Sequence, residues 1–247
     1  MSSWRLLLSA ILFAPGATLA AALRLCTDVQ AHPPYLTPDG GGLIGRLVSQ
    51  AARDAGVALS YRPASLARCR AEVALGTVHG FPMAPYMPAA LPFARYPMRD
   101  GLPDASRAVA QLRIMLYRRR GAAVSWDGKR IEGLRRPVLI AAGSVAIQDK
   151  LDALQVATDN NARSIDVNFA KIMAGRGELT AGFEEEGKRL LRLPQYAGNI
   201  EMLPQPLQEG TYYLVVSRSF YAGNDAAVEK LWDAIGRLNQ TAKTQKE

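Results

Sequence analysis

Few residues in this chain have both a reactive side chain and a position that could use it. Asp28 ends an alternating apolar segment in "LRLCTDVQAHPPY" (23–35). A carboxylate at the C-terminal lip of a buried strand either caps the following turn or faces a crevice. Three consecutive acids, Glu184-Glu185-Glu186, make a second anionic spot, read either as a solvated loop or as part of a site. Ser144 follows Gly143 and precedes a helical pattern, so its hydroxyl can cap that helix, whose free N–H groups can meet an anion. The only histidines are His32 and His79 and the only cysteines Cys26 and Cys69, with no spacing that fits a metal centre. There is no nucleophile with a base at readable spacing and no phosphate-cradling glycine motif. No catalytic residue, metal or cofactor is therefore assigned, and the chemistry left is non-covalent binding.

The start of the chain says where this binding takes place. Met1–Arg5 is short and basic, Leu6–Phe13 is apolar, Pro15-Gly16 breaks the run, and small residues continue to Ala22. That order is the one of a secretory signal, with an apolar stretch too short to span a bilayer; a buried N-terminal helix is the other reading. Cleavage after Ala20 or Ala22 leaves small residues in place, with Ala22 preferred, and Leu25 before Cys26 is too large for lipid attachment. A soluble protein of the periplasm is expected. An oxidising compartment makes Cys26 and Cys69 a candidate pair, closing a loop of about 40 residues worth about 4 kcal/mol at most on the chain-entropy model; two buried free thiols are the alternative. The whole chain has 30 Lys and Arg against 22 Asp and Glu, so loss of Arg5 leaves 29 against 22, a net +7. Export argues against nucleic acid as the partner of that charge, and Arg118-Arg119-Arg120 reads as a solvated strand end.

The elements that must position these residues alternate. Leu23–Thr27 reads as a buried strand. In "LIGRLVSQAARDAGV" Leu43, Leu47 and Ala51, with Ile44, Val48 and Ala55, share a helix face that Gly56 ends. "VALSYRP" is a strand and "SLARCRAEVALGTVHG" a helix ended by Gly76, giving a βαβ unit and hence a parallel sheet. Phe81–Pro103 is rich in Pro and Met and has little regular pattern. "LRIMLYRRR" and Pro137–Ala142 are strands, "VAIQDKLDAL" and Ser164–Met173 helices, and "LTAGFEEEG" a strand running into a loop. "GTYYLVVS" is a strand, after which Asn224 or Asp225 caps a helix with Val228, Leu231, Trp232, Ile235 and Leu238 on one face; the polar tail from Thr241 frays.

The order and spacing of "LRLCTDVQAHPPY", "GGGLIGRLVSQAARDAGV", "RPASLARCRAEVALGTVHG", "RRPVLIAAGS" and "GTYYLVVS" resemble the amino-acid type of extracytoplasmic solute-binding protein that serves ABC transporters. The resemblance covers essentially the whole mature chain. It implies an α/β bilobed periplasmic-binding-protein fold of type II, two lobes joined by two crossover strands. Residues 1–22 would be the signal, 23–108 the first part of lobe 1, 109–205 lobe 2, and 206–247 the return strand and helix that complete lobe 1. The Cys26–Cys69 pairing also fits that geometry. By resemblance Asp28 accepts from a ligand ammonium, His32 takes the place of a stacking ring, and Tyr35 lies behind it, with core packing favoured over ligand contact.

Other positions depart from the family pattern. Its small polar positions fall on Met83, Ala84 and Tyr86, and its carboxylate-forking arginine on Leu91, with Arg95 displaced by four residues. The hydroxyl after the glycine turn would be Ser144, and the second acid Glu185, or Glu184 if the register slips by one. Without a buried arginine a standard α-amino acid is a doubtful ligand, whereas an amine held by Asp28 and Glu185 against His32 and Tyr86 suits the residues; a fold kept with an eroded site is the other possibility. The expected function is capture of a small polar solute, amino acid or amine-like, by a monomer that delivers it to an ABC permease. An enzyme of the same fold acting on small cyclic acids, or a sensing domain working through a membrane receptor, are the alternatives.

Overall fold

The computed structural model describes residues 22–244; the expected signal lies outside the described residues except for Ala22, which opens the first strand. In chain order come β1 Ala22–Asp28, α1 Gly42–Ala55, β2 Ala58–Ala64, α2 Leu66–Ala74, β3 Gly80–Pro85, β4 Ala94–Arg95 and the hairpin β5 Met98–Arg99 and β6 Leu102–Pro103. Then follow β7 Ala110–Arg119, the hairpin β8 Ser125–Trp126 and β9 Ile131–Glu132, β10 Val138–Ala141, α3 Val145–Ala153, β11 Thr158–Ala162 and α4 Ile165–Met173. The chain ends with β12 Leu179–Phe183, α5 Glu184–Leu190, β13 Ile200–Met202, β14 Gln208–Ser217 and α6 Arg218–Thr244. Among the described residues no helix is long and apolar enough to cross a membrane.

One sheet path runs β11-β10-β12-β7-β14-β3-β1-β2. Its outer strands are parallel, β1 with β2 and β10 with β11, as βαβ units require. The ten-residue strands β7 and β14 are the straps between two α/β lobes. β14 pairs with β7 along Gln208–Tyr212 and with β3 along Tyr212–Val216, while β7 carries on against β12 and β13. In the first lobe Leu25, Val48, Leu214 and Trp232 share one core. In the second, the period of two along β7 sends Ile114 and Leu116 into a core with Val138 and Leu151, and Met115 and Tyr117 into another with Phe169 and Ile172. This is the bilobed fold that the family resemblance implies.

Several elements depart from expectation for local reasons. Leu43 is 54% exposed, because the buried face of α1 is set by Ile44, Val48, Ala51 and Ala52. Phe81–Pro103 includes all of β3 but Gly80, in the middle of the sheet despite Pro82 and Pro85. The three acids after Phe183 open α5 rather than a loop; acidic side chains in a first turn favour the positive end of the helix dipole. The last helix begins at Arg218, breaks at Asn224 (φ −143, ψ 22) and then buries Val228, Leu231, Trp232 and Ile235 as its periodicity predicts, continuing to Thr244.

Candidate functional site

Asp28 both caps its turn and faces the junction of the lobes. Its Oδ1 accepts from the Gln30 N–H at 3.1 Å, and its Oδ2 lies 3.1 Å from His32 Nε2. The loop that returns His32 is held by its own backbone: the His32 N–H donates to Leu36 at 2.8 Å, and the Tyr35 and Leu36 N–H groups donate to the His32 carbonyl. A cis Pro33-Pro34 bond lies inside that loop. Gly42, at φ +83, is required where α1 starts, since a Cβ there would meet the Tyr35 carbonyl oxygen at 2.5 Å.

The other ring nitrogen of His32, Nδ1, lies 3.4 Å from Glu186 Oε2, at the start of α5 in the second lobe. His32 thus bridges a carboxylate from each lobe. Burial works against its charged form, but hydrogen bonds to Asp28 and Glu186 and their charges outweigh this and raise its pKa to about 9. Phe183, the last residue of β12, packs edge-on against His32, Tyr35 and Tyr212 with centroids 6.1, 5.6 and 5.8 Å away. His79 stays apart: its Nδ1 accepts from the Arg24 N–H and its ring stacks on Phe220.

The acidic run corrects one expectation. Glu185 is not in the crevice: its carboxylate is 43% exposed and takes Lys188 Nζ at 2.7 Å. Glu184, the alternative, is bound by both Arg113 Nε and Nη2 at 2.6 Å and by Lys188 at 3.0 Å. The acid that reaches the junction is Glu186, one residue later. Successive helical side chains point about 100° apart, so three adjacent glutamates have three different neighbours.

Between the lobes lies a cavity of about 180 Å³. Its origin is in β3, which pairs with β1 only at Leu25↔Gly80. Pro82 and Pro85 carry no N–H to continue that ladder, and both line the cavity. Met83, Ala84, Phe93 and Phe183 extend an apolar wall. The polar residues of the cavity lining are Thr27, Asp28, His32, Arg70, Ser144, Tyr96 and Tyr212. Thr27 and Tyr96 donate to the carbonyls of Pro38 and Pro85, at 2.6 and 3.0 Å.

Of the remaining expected residues, Ser144 lines the cavity as the N-cap of α3, but its hydroxyl makes no capping bond there, a second correction. Tyr35 is 8% exposed and packs in the first core, as favoured for it; its hydroxyl meets the Glu185 backbone. Tyr86 is outside the cavity lining, because its ring turns edge-on to Tyr96 at 5.2 Å. Arg95 sits over the Tyr221 ring, away from the junction. The guanidinium on the cavity is that of Arg70 in α2, whose Nη1 donates to the Gly143 carbonyl at 2.9 Å across the lobes. Leu66 on the same helix meets Gly143 so closely that a Cβ at its φ of +83 would lie 2.8 Å away. Sequence reasoning missed Arg70; the signal that could have found it is its neighbour Cys69, bonded to Cys26 at 2.06 Å, which joins this turn of α2 to the strand that ends in Asp28.

No protein-family model and no curated protein sequence matches the chain. Solved structures do match its fold. A histidine kinase sensor domain similar to periplasmic binding proteins aligns with TM-score 0.71 and 12% identity, over 92% of this chain and 94% of that one. The amino acid ABC transporter substrate-binding protein AbpA of Streptococcus pneumoniae, bound to L-arginine, gives 0.69 and 13% over 92% of each. The GluR0 ligand-binding core of Nostoc punctiforme, in complex with L-glutamate, gives 0.66 and 13% over 91% and 96%. The chain thus has the bilobed periplasmic-binding-protein fold, at an identity to these proteins that carries the architecture and not the ligand.

Proposed function

We propose that the chain is an exported solute-binding protein that closes its lobes over a small molecule and delivers it to the permease of an ABC transporter. The observation that carries the reading is the largely apolar cavity between the lobes, with Asp28, His32, Arg70 and Ser144 among its few polar groups. The Cys26–Cys69 bond supports an oxidising compartment. The amine clamp expected of Asp28 and Glu185 is replaced by His32 between Asp28 and Glu186, so the solute binds beside this trio rather than through it. The test is a thermal-shift screen of small solutes with scattering on the hits. A solute that raises the melting temperature and contracts the particle, with both effects abolished by filling the cavity through Ala146→Trp, supports the reading. Hits indifferent to that substitution refute it.

The shared fold of the kinase sensor domain favours a second reading, a ligand sensor acting through a membrane receptor. Crosslinking in intact cells separates the two: capture of a permease supports delivery, and capture of a kinase or channel subunit supports sensing.

A further inference from the structure

The geometry points to a ligand class for this cavity: a small molecule with an apolar body and a single carboxylate, held by Arg70, and without the amino group of an α-amino acid. The inference rests on the solute-binding reading above and adds the chemistry of the solute.

Charge decides it. The charged side chains on the cavity are Asp28, His32 and Arg70. Asp28 and His32 are a closed pair, Oδ2 to Nε2 at 3.1 Å, and Glu186 meets the ring through its other nitrogen without lining the cavity. An ammonium ligand finds its carboxylate already taken by an imidazolium. Arg70 is in the opposite position. Its one hydrogen bond among the described residues goes to a neutral carbonyl, that of Gly143, and it forms no ion pair with any of them. Its remaining N–H donors have no protein partner there, and burial pushes the guanidinium's pKa down with no carboxylate to oppose it. A half-buried cation with free donors beside a cavity is placed to take an anion, and a carboxylate forked onto the guanidinium gains charge-assisted bonds there. The Arg70–Gly143 contact sets this end of the cavity beside Ser144, whose hydroxyl is free of capping duty. The rest of the wall, including Leu66, Phe81, Met83, Phe93 and Ile147, fits hydrocarbon. At about 180 Å³ the space is below the roughly 300–1,000 Å³ of drug-sized sites, so the body is a short chain or a single ring.

The experiment is calorimetry on the oxidised mature chain at neutral pH with butanoate, hexanoate, benzoate and phenylacetate, their primary amides, hexylamine and L-leucine. At least one acid is expected to bind, with its amide about tenfold or more weaker. Arg70→Gln is expected to weaken the acid by about ten- to a hundredfold and the amide by much less, and Arg70→Lys to recover part of the loss of acid binding. The acid-to-amide ratio uses the unmodified protein, so the inference stays testable if the variants fold poorly. An amine or leucine binding as tightly as the acids, equal acid and amide affinities, or no acid binding at all overturns it. A neutral or cationic hit that Ala146→Trp abolishes overturns the carboxylate class and leaves solute binding standing. Hits untouched by Ala146→Trp sink both.

Discussion

Raising the pH through the window between 6.5 and about 9 is expected to cost the folded chain about 3 kcal/mol, and His32→Gln to remove that dependence. The magnitude follows from the trio at the lobe junction. His32 titrates at 6.5 in an unfolded chain and at about 9 between Asp28 and Glu186. Two and a half pH units at about 1.4 kcal/mol each give about 3 kcal/mol. The side chain is only 14% exposed, so solvent screening takes little of this. The sign is fixed by proton counting. Below 6.5 both states hold the proton and the contribution is whole. Between 6.5 and about 9 the folded state alone holds it, so stability falls as pH rises, and above about 9 the contribution is gone. The groups facing the ring are Asp28 from β1, Glu186 from α5 and the apolar Phe183. His79 does not interfere, since burial lowers its pKa and confines its effect to below 6.5. At roughly 2–4 °C per kcal/mol for a chain of this size, the melting temperature of the parent should drop by about 6–12 °C across the window relative to His32→Gln. Parallel melting curves for the two proteins from pH 6.5 to 9 would refute the imidazolium bridge.

Other expectations follow from neighbouring contacts. Glu186→Gln is expected to lower the His32 pKa in an NMR titration and to expand the particle in scattering, whereas Glu185→Gln should change stability by under about 0.5 kcal/mol because its pair with Lys188 is exposed; equal effects from the two would reverse the assignment. Cys26→Ser with Cys69→Ser removes a crosslink over 43 residues of separation and is expected to cost up to about 4 kcal/mol in denaturant melts. A free-thiol assay on the native oxidised protein should find none. Gly143→Val places a side chain at φ +83 and 2.8 Å from Leu66, so ligand affinity should fall by at least about tenfold, as a loss of about 1.4 kcal/mol implies, while secondary structure by circular dichroism holds. Unchanged affinity would mean that the lobes do not close at this point.

Most of the frame was legible because burial imposes a period. Alternation in "LRLCTD" and "LRIMLYRRR" gave β1 and β7, and the spacing of Val228, Leu231, Trp232 and Ile235 gave the buried face of α6. β3 was not legible, since its two prolines signal against a central strand and only their position on the cavity side reconciles them with it. The site was read one residue off at Glu185, and no polar pattern resolves that, because all three acids are the same residue. Tyr86 was placed by an alignment register that ring packing on Tyr96 overrides. Arg70 escaped because it lies on a helix far along the chain from Asp28, and what joins the two is a covalent bond rather than a motif.

That bond has a consequence for assembly. Cys26 stands two residues before the carboxylate end of the cavity, and Cys69 adjoins its guanidinium end. One crosslink therefore ties together the elements that carry the acidic and the basic group of the cavity. With both thiols reduced, α2 is still held on β1 by the packing of Ala64, Val73 and Val78 and by the β1–β2 pairing, so the bond narrows the range of distances between Asp28 and Arg70 instead of creating their proximity.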